Sequence, residues 1–313
     1  MEFPTAFSLL SCSPDLGSQV CLLILHAGFW WCFIRWSSKT VVAPYVETRP
    51  WKKEWLRLNQ AFFKKALFTV FPSDEDAFAF ACLFQAILAQ HLVGGLLCLP
   101  SILGRGLPSL ACQGALCEAG WELQDIAVRA HQRIFQGVRG KNMNPLPLLG
   151  VIAVHHAMGQ AMVIPMNILY ADNPDYHEFV FLMQAAAFLA MMLQSYGYTL
   201  NVQTKEGLKK MQISIIVSWL TILYSRVVRF SVVGYRLART FHSDGNWMMF
   251  YVGSSVLVLM GCFNVMMIVD ATQKLIKFTA MLPPEPSQPG CCGAKLSAAV
   301  LLGSSATGKS KRQ

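Results

Sequence analysis

The sequence predicts an all-α polytopic membrane protein, with about seven transmembrane helices around a central polar chamber. Three observations carry that expectation. Of the 313 residues, 54% are hydrophobic and only 14% are charged, and mean hydropathy is +0.41, a balance that belongs to membrane proteins. Apolar windows of roughly 20 residues, long enough to cross ~30 Å of hydrocarbon, recur at 16–36, 77–103, 109–132, 146–170, 178–200, 211–235 and 247–276. Lys and Arg gather in alternate connections between those windows, as the retention of positive charge in cytosolic loops requires.

The first window is expected to stay as an anchor. Residues 1–18 hold Glu2 and Asp15 and no basic residue, the wrong leader for a cleaved signal peptide. After it, Arg49 to Phe71 reads as one amphipathic basic helix, "WKKEWLRLNQAFFKKALFTVF", suited to lie on a membrane surface. The connection after the first window holds Arg35, Lys39, Arg49, Lys52, Lys53, Arg57, Lys64 and Lys65; that after the third holds Arg129, Arg133, Arg139 and Lys141; that after the fifth holds Lys205, Lys209 and Lys210. The connection after the fourth, "ADNPDYHE", has acids and no Lys or Arg, and that after the second has only Arg105. The N-terminus is therefore expected in the lumen and the C-terminus in the cytosol, with Arg236 and Arg239 as the one dissent. The net charge of +9 reads as topology and attraction to anionic headgroups, and no nucleic acid is expected as a partner.

Three segments follow from this division: 1–72, an anchor helix with a basic cytosolic segment; 73–281, the transmembrane domain; and 282–313, a disordered cytosolic tail. In the tail, Cys291 and Cys292 lie in a Pro/Gly-rich stretch beside the last span, a setting for S-palmitoylation. "GSSATGKS" satisfies the P-loop spacing, but only Lys311, Arg312 and Gln313 follow it, so no helix can present the backbone N–H groups that phosphate binding needs. The closing "KSKRQ", with Lys309 and Lys311, has the shape of a dilysine retrieval signal and points to the endoplasmic reticulum. Cys21, Cys32, Cys82, Cys98, Cys112, Cys117 and Cys262 fall within apolar windows and are expected as small core residues. No CxxC pair occurs, which excludes a zinc ribbon.

Polar side chains inside the spans carry the functional signal, because each is costly in hydrocarbon unless it faces the bundle interior. Glu118, Glu122 and Asp125 are spaced i, i+4, i+7 in the third window and share one helix face. His156, Gln160, Val163 and Asn167 repeat that spacing in the fourth. His155 points ~100° away from His156, so one imidazole is expected to bind or react while the other orients or packs. Pro165 is expected to kink this helix. Counted from the shared connection at ~1.5 Å per residue, Asp125 and the histidines reach the same depth, so an Asp–His hydrogen bond is available. In the sixth window, Arg226 and Arg229 are expected either to meet Glu118 or to reach the interface. Gln194 and Tyr196 complete the expected chamber lining.

The seven histidines form none of the boxes of membrane di-iron enzymes. Haem ligation by His91 with His155 or His156 would leave the acidic stripe without a role, so no metal or cofactor is expected. The order "GWELQDIAVRAHQ", a short basic connection, "VIAVHHAMGQ", "LQSYGYTLN", "YSRVVRF" and "NVMMIVDATQKLIKF" resembles the TLC domain shared by ceramide synthases, translocation-associated membrane proteins and related lipid-regulating proteins. The resemblance covers Ser73 to Met281. It implies lipid homeostasis, with a membrane lipid or a sphingoid or acyl ligand as partner and a homodimer as an open oligomeric state. It also raises an acyltransferase using acyl-CoA as co-substrate, with His155, His156 and Asp125 catalytic. Ceramide synthases place a D-x-x-D pair one span after the histidines, and "FLMQAAAFLAMMLQSYGYTLN" has no carboxylate. Lipid binding, sensing or movement is thereby favoured over acyl transfer, and a seven-span receptor or channel stands last.

Overall fold

The computed structural model describes residues 15–281. The tail with Cys291, Cys292, Lys309 and Lys311 lies outside them. Among the described residues the chain is helical throughout, with turns between helices and no strand. α1 spans Leu16–Ser37 and continues through a π-helical turn, Ser38–Val42, into α2, Ala43–Glu47. α3 (Lys52–Ala66), α4 (Asp74–Ala86), α5 (Leu88–Ile102), α6 (Pro108–Phe135) and α7 (Gly137–Met143) follow. The rest is α8 (Leu146–Leu169), α9 (Pro174–Gly197), α10 (Lys205–Ile222), a second π-helical segment (Leu223–Arg229), α11 (Phe230–Ser243) and α12 (Trp247–Thr279).

The helix starts are written locally. Asp15, Ser73, Asn173, Thr204 and Asn246 each accept a backbone N–H from the first turn of α1, α4, α9, α10 and α12, filling donors that a helix N-terminus leaves open. Pro108 and Pro174 occupy the first helical positions of α6 and α9, where no N–H is needed. Pro165 is accommodated inside α8 without ending it.

Six helical stretches among the described residues are long and apolar enough to cross a membrane: Leu16–Glu47, Asp74–Ile102, Leu146–Leu169, Pro174–Gly197, Lys205–Ser243 and Trp247–Thr279. The protein is thus a multi-pass membrane protein. The expected third span differs: α6 has 28 residues, about 42 Å of helix, but its acidic face keeps it outside this apolar set. Its position explains how such a helix is tolerated. α1 and α8 pack along it, α5 lies against it, and Ala111, Ala115, Leu116 and Ala119 are in the main apolar core. A Cβ on Gly120 would stand 2.5 Å from His26 Cβ and 2.8 Å from the Ala27 amide nitrogen, so the crossing of α1 over α6 requires glycine there. Large apolar side chains cover the outer faces, among them Ile24, Leu25 and Phe29 on α1 and Tyr251, Val258 and Met266 on α12, a surface that water would not tolerate at this extent.

Several expectations are corrected. The second span starts at Asp74, with Ile87 as a single turn residue between α4 and α5 inside one membrane-crossing stretch. The basic helix ends at Ala66, and protein covers much of its apolar face: Trp55, Leu58 and Phe63 are buried, and Trp55 and Phe63 pack with Ala81, Cys82, Phe78, Phe80 and Phe84 of α4. Residues 67–73 then connect it to α4, with the Val70 N–H donating to Asn142 O at 3.1 Å. Arg236 and Arg239 belong to α11 and not to a loop. Of the cysteines expected in the core, Cys21, Cys32 and Cys262 are exposed, whereas Cys82, Cys98, Cys112 and Cys117 are buried.

Candidate functional site: a histidine–carboxylate cluster between α6 and α8

α6 and α8 run antiparallel, and the polar stripes of the two helices face each other. His156 is 2% exposed. Its Nε2 lies 3.3 Å from Asp125 Oδ2, and its Nδ1 lies 3.5 Å from Glu122 Oε1, outside hydrogen-bonding geometry. Asp125 also accepts from Arg129 Nε at 2.8 Å; Arg129 Nη1 donates to Asn144 Oδ1 at 3.3 Å; and Asn144 Nδ2 donates to Gln132 Oε1 at 3.0 Å. Gln160 Nε2 donates to Ala119 O at 2.6 Å and reaches Glu122 Oε2 at 3.4 Å. The helical spacing of three or four residues therefore puts His156 and Gln160 on the face that meets Glu122 and Asp125. Gly159, between them, is needed for a different reason: a Cβ there would fall 2.2 Å from Glu122 Oε2.

His155, next in sequence, takes another direction. Its ring stacks on Phe263 of α12 with centroids 5.1 Å apart, and its centroid is 5.4 Å from that of His156. Its Nδ1 is buried without a hydrogen-bond partner. The divergence expected of adjacent helical residues thus separates the two imidazoles: His156 faces the carboxylates and His155 faces α12.

Glu118, one turn from Glu122, has its own partners. Its Oε2 accepts from Gln90 Nε2 at 2.9 Å and lies 3.1 Å from His91 Nδ1, both on α5. Gln90 Nε2 also donates to Gln184 Oε1 at 3.2 Å, and Gln184 Nε2 donates to Gly114 O at 2.6 Å. The ring of Trp121 stands edge-on between His91 and His156, with centroids 5.5 and 5.2 Å away. Arg226, in the second π-helical segment, is 6% exposed. It donates to Met183 O at 2.6 Å through Nη2, leaves Nε without a partner, and interacts electrostatically with Glu118. A π turn widens the helix and breaks its ordinary bonding, and such turns occur frequently at functional sites.

The remaining expected site residues lie elsewhere. Asn167 sits eleven residues along α8 from His156, about 16 Å away at 1.5 Å per residue, in a cluster of its own. It donates to Gln19 Oε1 at 3.0 Å and to Cys112 O at 3.4 Å, and accepts from Tyr176 Oη at 2.8 Å. Arg229 pairs with Glu178 through two bonds of 2.5 and 2.7 Å and does not meet Glu118. Tyr196 is 43% exposed on the outer face of α9, so it lines no interior. Near the same end of α9, Gln194 O accepts the Tyr198 backbone N–H at 3.1 Å. The single chamber of the sequence expectation is resolved into separate polar clusters. Gln19, Gln90, His91, Arg129 and Asn264 were not among the expected site residues; all five are buried. A polar residue inside an apolar run, as in "LAQHLVGG", was the available signal for Gln90 and His91.

Asn264, the neighbour of Phe263 on α12, is 1% exposed with neither amide atom bonded. Unsatisfied polar atoms of His155, His156, Arg226 and Asn264 are thus buried in this membrane bundle. Comparison of the chain with family models, with curated proteins and with solved structures finds no match.

Proposed function

We propose that the chain is a TLC-type membrane protein acting in lipid homeostasis, and that it binds, senses or moves a lipid whose polar head meets the His155/His156/Asp125 cluster. The supporting observation is the buried Nδ1 of His155, which has no hydrogen-bond partner and whose ring stacks on Phe263. Such an atom costs about 1–3 kcal/mol when left unpaired, and a bound polar head offsets that cost with a partner for the imidazole. The apolar residues around it, Met158, Phe179, Phe230, Met260 and Phe263, suit an acyl or sphingoid chain. Residence in the endoplasmic reticulum, with a luminal N-terminus, belongs to the same reading and rests on the basic connections and on "KSKRQ".

Binding is favoured over acyl transfer by the orientation of His156. A general base needs a free nitrogen within reach of the proton it takes. Nε2 of His156 is directed to Asp125 and Nδ1 faces Glu122, so neither nitrogen is open to an incoming amine or hydroxyl. The Asp125–His156 hydrogen bond remains the one feature in favour of the acyltransferase alternative.

Crosslinking with photoactivatable sphingoid and glycerolipid probes in nanodiscs tests the reading. The unmodified chain is expected to label within α8 or α12, and His155→Ala and Asp125→Asn to lose about tenfold or more of that labelling, the size of one charge-assisted contact, while eluting as folded protein. Labelling spread over the outer faces and indifferent to both substitutions would overturn it. Transfer of a radiolabelled acyl group from acyl-CoA, abolished by His156→Ala, would replace it with the acyltransferase reading.

A further inference from the structure

We propose that Glu122, His155 and His156 form a binding site for a divalent first-row transition-metal ion. One oxygen of the carboxylate and one nitrogen of each imidazole lie within 4.8 Å of one another. The distance between His156 Nδ1 and Glu122 Oε1 is informative. At 3.5 Å and outside hydrogen-bonding geometry, the two atoms make a poor direct contact. Yet ligands held at 2.0–2.2 Å from a tetrahedral ion are separated by about 3.4 Å, so these atoms already sit at the edge length of a coordination sphere. Bringing the widest gap to the same length takes a shift of at most ~1.4 Å, within the reach of the partly buried His155 ring.

The surroundings of His156 support the same assignment independently. A metal-bound imidazole almost always donates its other N–H to a carboxylate or carbonyl, which fixes the tautomer. Asp125 occupies that place on Nε2, so Nδ1 is left with its lone pair toward Glu122. Asp125 is in turn held by Arg129, and Arg129 by Asn144. Glu122 is held by Gln160 and given its space by Gly159. The second carboxylate, Asp125, therefore acts as a positioning residue and not as a ligand.

Charge is compatible with the assignment. With the imidazoles neutral, as metal ligands must be, Glu118, Glu122 and Asp125 outweigh Arg129 and Arg226, so this part of the bundle is net negative and attracts a cation. Three protein ligands leave one or more positions open, available to water or to an oxygen of a lipid headgroup. Two imidazoles and one carboxylate suit zinc and iron(II) alike. The site shares residues with the lipid reading but does not rest on it, since an ion can be held with no lipid substrate present.

The test is elemental analysis of the purified full chain in nanodiscs, measured for zinc and iron as isolated and again after zinc loading and dialysis. The expected result is about one retained ion per chain, lost to background in Glu122→Gln and His155→Ala and held about 10–100-fold more weakly in Asp125→Asn. His131→Ala, which removes an exposed histidine, should retain the full content. X-ray absorption of the zinc-loaded unmodified chain gives a reading that needs no variant: a shell of imidazole nitrogen and oxygen supports the site. Sulfur ligation, no retained ion, or equal content in Glu122→Gln and the unmodified chain would overturn it. These outcomes are read without a lipid probe, so failure of the metal site and failure of lipid binding are separately visible.

Discussion

Two buried polar clusters share the same pair of helices, α6 and α8, and differ in how their hydrogen bonds close. Around Asn167, the amide donates to Gln19 and to Cys112 O and accepts from Tyr176, so three segments distant in sequence are tied together by one side chain. Around His156, the carboxylates are anchored by Arg129 and Gln160, yet the Nδ1 atoms of both histidines have no hydrogen-bond partner. The first cluster behaves as a fastening. The second is anchored at its rim and incomplete at its centre, as expected where a ligand finishes the bonding. A polar residue within a membrane span can thus be structural or functional, and satisfaction of its atoms separates the two cases better than its identity does.

Substitutions can break this comparison, and the largest effect on stability is expected at Asn167. Asn167→Leu removes its hydrogen bonds with Gln19, Cys112 O and Tyr176, a loss of about 0.5–1.5 kcal/mol for each bond, read as a lower yield of monodisperse protein and a lower Tm. Gly159→Ala comes next: its methyl group would collide with Glu122 Oε2, and the displaced carboxylate should cost about 1–3 kcal/mol, the usual range for overpacking, together with the loss of ligand labelling. If Gly159→Ala lowers Tm but leaves labelling intact, Glu122 has no part in the site.

Smaller effects sharpen it. Arg229→Ala removes a partly exposed two-bond pair with Glu178 and should lower stability by ~1 kcal/mol, measured by thermal unfolding in detergent. Arg236→Ala removes a single 3.4 Å contact with Asp175 at the surface and should fall below about 0.5 kcal/mol. His155→Ala breaks no Nδ1 hydrogen bond and loses the ring stacking on Phe263, so a change in stability of about 0.5–1.5 kcal/mol is expected, while ligand labelling should vanish. Combining it with Asp125→Asn should cost no further function, because groups that act as one unit are not additive. Additive loss of folded protein in the pair would assign the histidines to scaffolding.

The sequence by itself determined the all-helical membrane architecture, because hydrocarbon demands long apolar segments whose backbone groups are satisfied internally, and composition alone reports them. It also determined which faces of α6 and α8 are polar: Glu118, Glu122, Asp125, His156 and Gln160 follow from a period of 3.6 residues, and the common depth of Asp125 and the histidines follows from the short turn that joins the two helices. Only the tertiary structure decided the partners. Glu118 turns to His91 and Gln90 of α5, Arg229 to Glu178 and Asn167 to Gln19, because these pairings depend on which helices are neighbours, and local spacing carries no record of that. It likewise decided that Tyr196 faces outward and that the basic helix α3 packs on α4. In both cases an amphipathic pattern states that an apolar face must be covered, while the contacts made on folding decide whether protein or lipid covers it.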